Sequence, residues 1–330
     1  MKDKLVTLIG GGGFVGRYVA QALLKAGARV RIAQRDPRQA WFIKPLGGLG
    51  QTQFVAADVR KPDTVARAVH GADAVVNLVG LLSGDLDGVH VAGARNVAEA
   101  CAANGIAALV HVSAIGADAE SPSRYGRTKS EGEAAVRAAF PNATIVRPSI
   151  VFGREDRFTN RFAAMIAKAP VVPVLRASTR FQPAFVADVA AAIVKALADP
   201  EAFGSRTVEL GGPDVISMGG LLRWIAGEIR RDPAFMQVPD ALGSLIAGAG
   251  FLPGAPITRD QWLMLQRDNV VGADVEGFAA FGITPRPMAA VAPGWLVRYR
   301  RNGRFAEVEA SADLERADEL QRNARIDRAA

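Results

Sequence analysis

Five apolar or β-branched residues, Leu5-Val6-Thr7-Leu8-Ile9, run into Gly10-Gly11-Gly12-Gly13 and then Phe14-Val15-Gly16-Arg17. A strand that ends in glycines and turns straight into a helix leaves few folds open. The helix is marked by Val15, Val19, Ala22, Leu23 and Ala26, which recur at three- and four-residue spacing. Gly10 lets the chain turn sharply off the strand, Gly13 lets backbone N–H groups approach a pyrophosphate, and Gly16 lets the helix pack closely on the sheet. Phe14 and Val15 open that helix, whose N-terminus offers unsatisfied N–H donors and a partial positive charge to phosphates. The spacing is Gly10-x-x-Gly13-x-x-Gly16, and four consecutive glycines also permit the tighter G-x-G-x-x-G. A plain glycine turn is the alternative. Its place in the first strand, with strand–helix alternation continuing downstream, favours dinucleotide binding.

That alternation is regular for half the chain. Residues 29–33 and 53–57 read as the second and third strands, with Pro62 and Asp63 starting a helix after the latter. Residues 74–80 form an apolar fourth strand suited to a sheet covered on both faces. A helix over 87–103 stops at Asn104-Gly105, and 108–113 is the fifth strand. A helix over 123–140 and a sixth strand over 144–148 follow. Five strand–helix repeats give an α/β fold, a doubly wound parallel Rossmann sheet with right-handed crossovers and a smaller mixed C-terminal lobe. Residues 1–150 are expected to form the dinucleotide domain, with 183–210 returning to it as a helix and a strand. Residues 151–305 form the smaller lobe and 306–330 a charged tail. The weakly polar run 238–251 is either a core helix or a surface helix resting on a partner or on lipid headgroups.

Composition narrows the setting. No apolar run reaches the roughly 20 residues that cross a bilayer. Met1-Lys2-Asp3-Lys4 leads directly into the first strand without a signal-peptide pattern, so a cytoplasmic location is expected. A single cysteine, Cys101, excludes an intramolecular disulfide and a cysteine-based metal cluster, and no metal site is expected. The net charge of +7 asks for an acidic partner or reflects a generally arginine-rich surface. No nucleic-acid module accompanies it, which leaves a phosphorylated cofactor, anionic lipid or acidic protein. A basic patch at Arg298, Arg300, Arg301 and Arg304, together with 238–251, is the expected docking surface.

Two further stretches bear on chemistry. An NAD-selective site places a carboxylate at the end of the second strand; here Gln34-Arg35 stands there, which favours a 2′-phosphate and NADP(H) over NAD(H). Asp36 restores the NAD-type carboxylate if the register shifts by one, and a solvated charged turn is the bland alternative. Tyr125 and Lys129, four residues apart, share one helix face. A pair at this spacing is often only a surface pair. A cation beside a phenol also makes it a better acid or base.

These runs, with Asp58-Val59, Leu78-Val79-Gly80, Arg147-Pro148-Ser149 and Phe185-Val186-Ala187-Asp188, resemble the extended and atypical short-chain dehydrogenases/reductases. The runs 123–133 and 151–160, with Gly153-Arg154-Glu155-Asp156-Arg157-Phe158 the most particular, narrow the likeness. Together with 257–260 and 282–285, they resemble the NADP(H)-binding accessory subunits of respiratory complex I, in a bacterial form. The resemblance implies that Tyr125 donates or accepts a proton and that Lys129 holds the nicotinamide ribose. It places the nucleotide against Gly10, Gly13, Phe14, Val15, Gly16, Arg35, Asp58, Val59, Leu78, Val79, Gly80, Lys129 and Pro148. The catalytic hydroxyl of active relatives falls where Ala114 and Ile115 stand; Ser113 is the nearest serine. The implied setting is the peripheral arm, at the cytoplasmic face of the inner membrane near the quinone entrance. Its partners there are complex I subunits or quinone-related proteins, and the nucleotide is structural. The rivals are an active NADP(H)-dependent oxidoreductase or epimerase-like enzyme, serving quinone biosynthesis, and a nucleotide-sensing regulator.

Overall fold

The computed structural model describes residues 1–250, 252 and 257–303. The chain runs β1 (Leu5–Ile9), α1 (Phe14–Lys25), β2 (Arg29–Gln34), β3 (Thr52–Ala56), α2 (Pro62–Val69), β4 (Ala74–Asn77), α3 (Gly93–Ala103), β5 (Ala108–Val112), α4 (Arg124–Ala139) and β6 (Thr144–Pro148). A 3-10 helix, Pro37–Leu46, lies between β2 and β3. A π-helical turn, Asp87–Ala92, leads into α3, where the apolar spacing predicts an uninterrupted α-helix. Then come β7 (Val151–Phe152), α5 (Thr159–Lys168), β8 (Val171–Leu175), β9 (Arg180–Phe181), β10 (Ala184–Phe185), α6 (Val186–Ala198), α7 (Pro200–Phe203) and β11 (Thr207–Leu210). The rest holds β12 (Ile216–Ser217), α8 (Met218–Glu228), β13 (Ala234–Val238), α9 (Asp240–Gly248) and α10 (Arg259–Met264).

Seven strands form one parallel sheet in the order β11-β6-β5-β4-β1-β2-β3. The order reverses between β1 and β4, and a crevice opens there at the carboxyl ends of the strands. Helices cover both faces, which is why β1, β4 and β6 are nearly continuous apolar runs. One face buries Leu8, Ile32, Val110 and Val208 against α1 and α6. The other buries Ile9, Val75, Leu109 and Ile145 with residues of α2, α3 and α4. Thus α6 and β11 come back to the first sheet, as does the pair Phe278 and Phe281 near the C-terminus. A separate core around Phe152, Ile166, Leu221 and Ile225 belongs to the second lobe. The expected tail at 306–330 lies outside the described residues.

Residues 238–250 of the weakly polar run prove to be the end of β13 followed by α9, and Phe251 lies outside the described residues. Gly243 and Ala247 pack inward while Leu242 and Leu245 stay in water. The basic patch is partly consumed by the fold. Arg298 donates to Asn160 Oδ1 at 2.5 Å and Arg300 to the Glu228 carbonyl at 3.0 Å, which ties both to the second lobe.

One charged cluster is buried beneath the sheet's edge. Arg147 on β6 donates to both carboxylate oxygens of Glu133 at 2.8 Å and reaches Glu209 at 3.4 Å. Glu133 and Glu209 are both buried. Arg147→Ala leaves the buried Glu209 without its ion-pair partner and Glu133 with the longer 3.6 Å pair to Arg137. The expected cost is about 3–5 kcal/mol, a fall of roughly 10 °C in melting temperature. A variant that melts with the wild type would show that the carboxylates are solvated or protonated in the folded chain.

Candidate functional site

The crevice is built around glycine. Gly10 leaves β1 with φ +79°, and a Cβ there would lie 2.9 Å from the Val79 side chain. A Cβ at Gly16 would sit 2.4 Å from the Gly11 carbonyl, so this turn of α1 rests directly on the loop backbone. At Gly12 a Cβ would strike Gln34 Oε1 at 2.1 Å; that oxygen instead accepts the Gly12 N–H at 3.0 Å. At Gly13 the nearest atom to a Cβ, the Gly10 carbonyl, is 3.2 Å away, and no other lies within contact distance. Gly13 caps α1 without a side-chain hydrogen bond, and no acidic residue occupies the first turn. The N–H groups of Phe14, Val15 and Gly16 therefore point out of the helix end with nothing among the described residues capping them. Such an arrangement can cradle an anion.

Beside it, Leu78 donates to the Ile9 carbonyl at 2.9 Å and Val79 to Asn77 Oδ1 at 3.2 Å, which fixes the strand exit that carries Gly80. Asp58 and Val59 follow β3. Arg60 holds Asp58 down to about 2, chiefly by direct hydrogen bonding, with Arg35 nearby adding to the effect. Val59 is packed against Gly93, and its carbonyl accepts from Asn96 at 2.7 Å.

The end of β2 separates the two cofactor readings. The Asp36 carboxylate accepts the Arg38 N–H at 3.2 Å and the Arg38 guanidinium at 2.9 Å, and lies below the usual carboxylate range for that reason. It is spent on capping the 3-10 helix. Arg35 is exposed and makes no hydrogen bond or ion pair among the described residues. A free guanidinium beside a committed carboxylate suits a 2′-phosphate.

Tyr125 and Lys129 share the inner face of α4. Lys129 is buried, and its Nζ donates to the Val112 carbonyl at 3.1 Å. Nζ also lies 3.4 Å from where a Cβ on Gly80 would be, which brings the strand exit against Lys129. Burial lowers Lys129 to about 8, partly offset by Glu133 one turn along. Burial also pushes the Tyr125 phenol up to about 12. Ser113, just past β5, is buried, and its Oγ has no hydrogen-bond partner among the described residues. Ala114 and Ile115 follow it, and the Ile115 N–H donates to the Pro148 carbonyl at 3.1 Å, bringing the ends of β5 and β6 together.

Two side chains that touch α4 at Tyr125 carry no signal in the spacing. His90, on the π-helical turn, stands edge-on to Tyr125 at 5.5 Å between ring centroids. Its Nε2 accepts the Leu81 N–H at 3.0 Å, so the ring proton sits on Nδ1 and is donated to Thr128 Oγ1 at 2.9 Å. Burial holds it at about 4, neutral at physiological pH. Asp260 comes from the C-terminal lobe to cap α4. It accepts from the Arg124 N–H at 2.6 Å, the Tyr125 N–H at 3.0 Å and Ser123 Oγ at 3.1 Å. Among the described residues no group of His, Cys, Asp and Glu is placed to hold a metal.

The Lys129 environment has a pH signature. Its folded value lies below the ordinary 10.5, so the cost of burying the ammonium is fully felt below about pH 8. The unfolded chain holds the proton longer, so that cost fades as pH rises from about 8 to 10.5. Across this window the wild-type chain should gain on the order of 3 kcal/mol relative to Lys129→Met. Melting curves of both proteins on either side of the window check this; a constant difference would mean that Nζ is solvated.

Comparison with known proteins gives these residues a context. The model of the NAD dependent epimerase/dehydratase family matches residues 6–211. The chain is 34% identical over 307 residues to mitochondrial NADH dehydrogenase (ubiquinone) 1 alpha subcomplex subunit 9 of Mus musculus, covering 90% of this chain and 80% of that one. The Arabidopsis thaliana subunit of the same name is 32% identical, covering 91% and 79%. A ceramide reductase of Caulobacter vibrioides is 33% identical over 250 residues, covering 74% and 76%. Among solved structures, an Escherichia coli NADPH-dependent quinone oxidoreductase with NADPH superposes with a TM-score of 0.71 at 17% identity, covering 88% and 99%. That last likeness speaks for the fold alone. The chain belongs to the NAD dependent epimerase/dehydratase family and, within it, to the family of the alpha subcomplex subunit 9 proteins.

Proposed function

We propose that this chain is an NADP(H)-binding accessory or assembly subunit of respiratory NADH:ubiquinone oxidoreductase, with the nucleotide serving as part of its structure. The observation that carries the reading is the match to alpha subcomplex subunit 9 along nine-tenths of the chain. The site supports it: the phosphate cradle is complete, while Ala114 and Ile115 stand where active relatives carry their hydroxyl. The N–H groups of Phe14, Val15 and Gly16 would hold the pyrophosphate, Arg35 the 2′-phosphate and Lys129 a ribose. Asp58 and Val59, Leu78, Val79 and Gly80, and Pro148 would line the rest, with the Ser113 hydroxyl supplying a buried polar contact. The bound nucleotide supplies a hydride-carrying nicotinamide. No described helix is long and apolar enough to cross a membrane, and the proposed position is peripheral, at the cytoplasmic face of the inner membrane beside other complex I subunits or quinone-related proteins.

A second reading, an active NADP(H)-dependent oxidoreductase, is favoured by the Tyr125–Lys129 pair and by the ceramide reductase relative. Three substitutions divide the two. Gly13→Asp puts a carboxylate where the pyrophosphate lies; under the structural reading it loses bound nucleotide and the stabilisation this confers, about 2.7 kcal/mol at ligand a hundredfold above Kd. Tyr125→Phe removes only the phenolic proton and should then be silent in melting, nucleotide content and respiratory activity. Lys129→Ala falls between them. A stable, nucleotide-loaded Tyr125→Phe protein that no longer supports respiration would overturn the structural reading.

Cofactor choice is tested separately. Arg35→Asp exchanges a charge-assisted contact for repulsion and should weaken NADPH by about 10- to 100-fold while leaving NADH nearly unchanged. Equal loss for both would place Arg35 away from the 2′-phosphate.

A further inference from the structure

Exposed large apolar side chains are scattered over most of the molecule, but Trp41, Phe42, Leu46 and Leu49 fall together. The first three lie on the 3-10 helix Pro37–Leu46, and Leu49 lies in the glycine-rich loop that follows it. Trp41 is 58% exposed and Leu49 fully exposed, touching nothing. The patch is not a loose excursion. Ala40 and Ile43 of the same helix are completely buried in the core, which anchors it on the sheet. The Arg17 guanidinium lies 4.1 Å from the centroid of the Phe42 ring and is itself tied to Glu155 at 3.0 Å. The apolar face is therefore built and held in the chain as it stands.

Its charge is one-sided. No acidic residue occurs anywhere from 37 to 57. Asp36, just before, is neutralised by Arg38. Lys44 is exposed on the same helix, and Lys25 is exposed at the end of α1, whose neighbouring Leu24 lies against Gly47. The shape is convex: Leu49 projects between Gly48 and Gly50, and a Cβ on Gly50 would meet nothing within 4 Å. A projecting leucine on the same segment as an exposed tryptophan and phenylalanine, with Lys44 and Lys25 exposed and the Asp36 and Glu155 carboxylates paired to Arg38 and Arg17, has the chemistry of an interfacial anchor.

We propose that this face is a membrane-contact surface. Trp41, Phe42, Leu46 and Leu49 enter the boundary between headgroups and acyl chains of an anionic bilayer, and Lys44 and Lys25 meet the lipid phosphates. A protein partner would ordinarily offer a groove to such a tip and carboxylates to such lysines. The tip itself needs neither, since a fluid interface accepts any convex apolar shape. The inference deepens the peripheral position proposed above, and its test separates the two.

The test uses the full chain with vesicles of phosphatidylcholine, with and without phosphatidylglycerol. Trp41 is the one exposed tryptophan of four; Trp224 and Trp295 are half-buried and Trp262 is buried. Emission should shift to the blue and be quenched by brominated lipid only when phosphatidylglycerol is present, and Trp41→Phe should remove that shift while the chain still co-sediments. Leu46→Ser/Leu49→Ser should weaken co-sedimentation by about tenfold or more with little change in melting temperature, since Leu49 is fully exposed and Leu46 lies at the surface. Lys44→Glu should reduce the preference for phosphatidylglycerol. Loss of vesicle binding in the double variant with complex I association retained supports the membrane face. Absent binding, or binding indifferent to these substitutions, overturns it and leaves the subunit reading standing. If the double variant binds vesicles normally but dissociates from purified complex I, the face belongs to a protein partner and the inference falls.

Discussion

The cradle depends on a close approach of backbone to backbone: α1 at Gly16 rests on the loop at Gly11, where any Cβ on Gly16 would sit 2.4 Å from a carbonyl oxygen. Helix and sheet can be this near only if both positions lack side chains. The proximity aims the uncapped N-terminus of α1 across the point where strand order reverses. Gln34 completes the arrangement from the neighbouring strand, because its amide oxygen occupies the space a side chain on Gly12 would need. The cradle is thus a consequence of packing density, with chemistry following from it.

A second constraint ties the far lobe to this centre. Asp260 collects the N–H groups at the start of α4, the helix that carries Tyr125 and Lys129. Asn269 accepts from Ser149 at 2.7 Å and donates to the Ile115 carbonyl at 3.2 Å, lacing the loops after β5 and β6 together. The Arg267–Asp118 pair is exposed and adds little. Residues more than a hundred positions apart in the chain therefore set the geometry of one crevice, and a disturbance of the C-terminal lobe reaches Tyr125 and Lys129 through Asp260.

The sheet was legible in the sequence because its inner strands β1, β4 and β5 are buried on both faces and read as nearly unbroken apolar runs, as a parallel, doubly covered sheet demands. The return of α6 and β11 showed for the same reason. The β8–β13 ribbon did not: it is half-exposed and carries Pro173, so its pattern resembles a loop. In the site, the glycines, Arg35, Tyr125 and Lys129 were visible as residue types at informative spacings. Whether Asp36 was free could not be read from its position, since its commitment to Arg38 is a matter of turn geometry. His90 and Asp260 act through contacts across the fold, and nothing local distinguishes them. The arginines near the C-terminus read as a docking patch in the sequence; their ties to the second lobe, Arg298 to Asn160 among them, join residues far apart in the chain and left no local mark.

The electrostatics of the pair bear on what the nucleotide does. Without a ligand the same desolvation works against both groups, raising the Tyr125 phenol to about 12 and lowering the Lys129 ammonium to about 8. A phenol so placed is a poor acid, and His90, held neutral in one tautomer, brings it no charge. An anionic dinucleotide beside Lys129 favours its charged form. By linkage, protonation of Lys129 then favours binding by the same free energy. Each partner relieves a penalty that the other bears: Glu133 only partly offsets the burial of the ammonium, and the phosphates need donors that water would otherwise supply. A site arranged in this way gains stability from occupancy whether or not hydride ever moves, which is the property an assembly subunit requires of its cofactor.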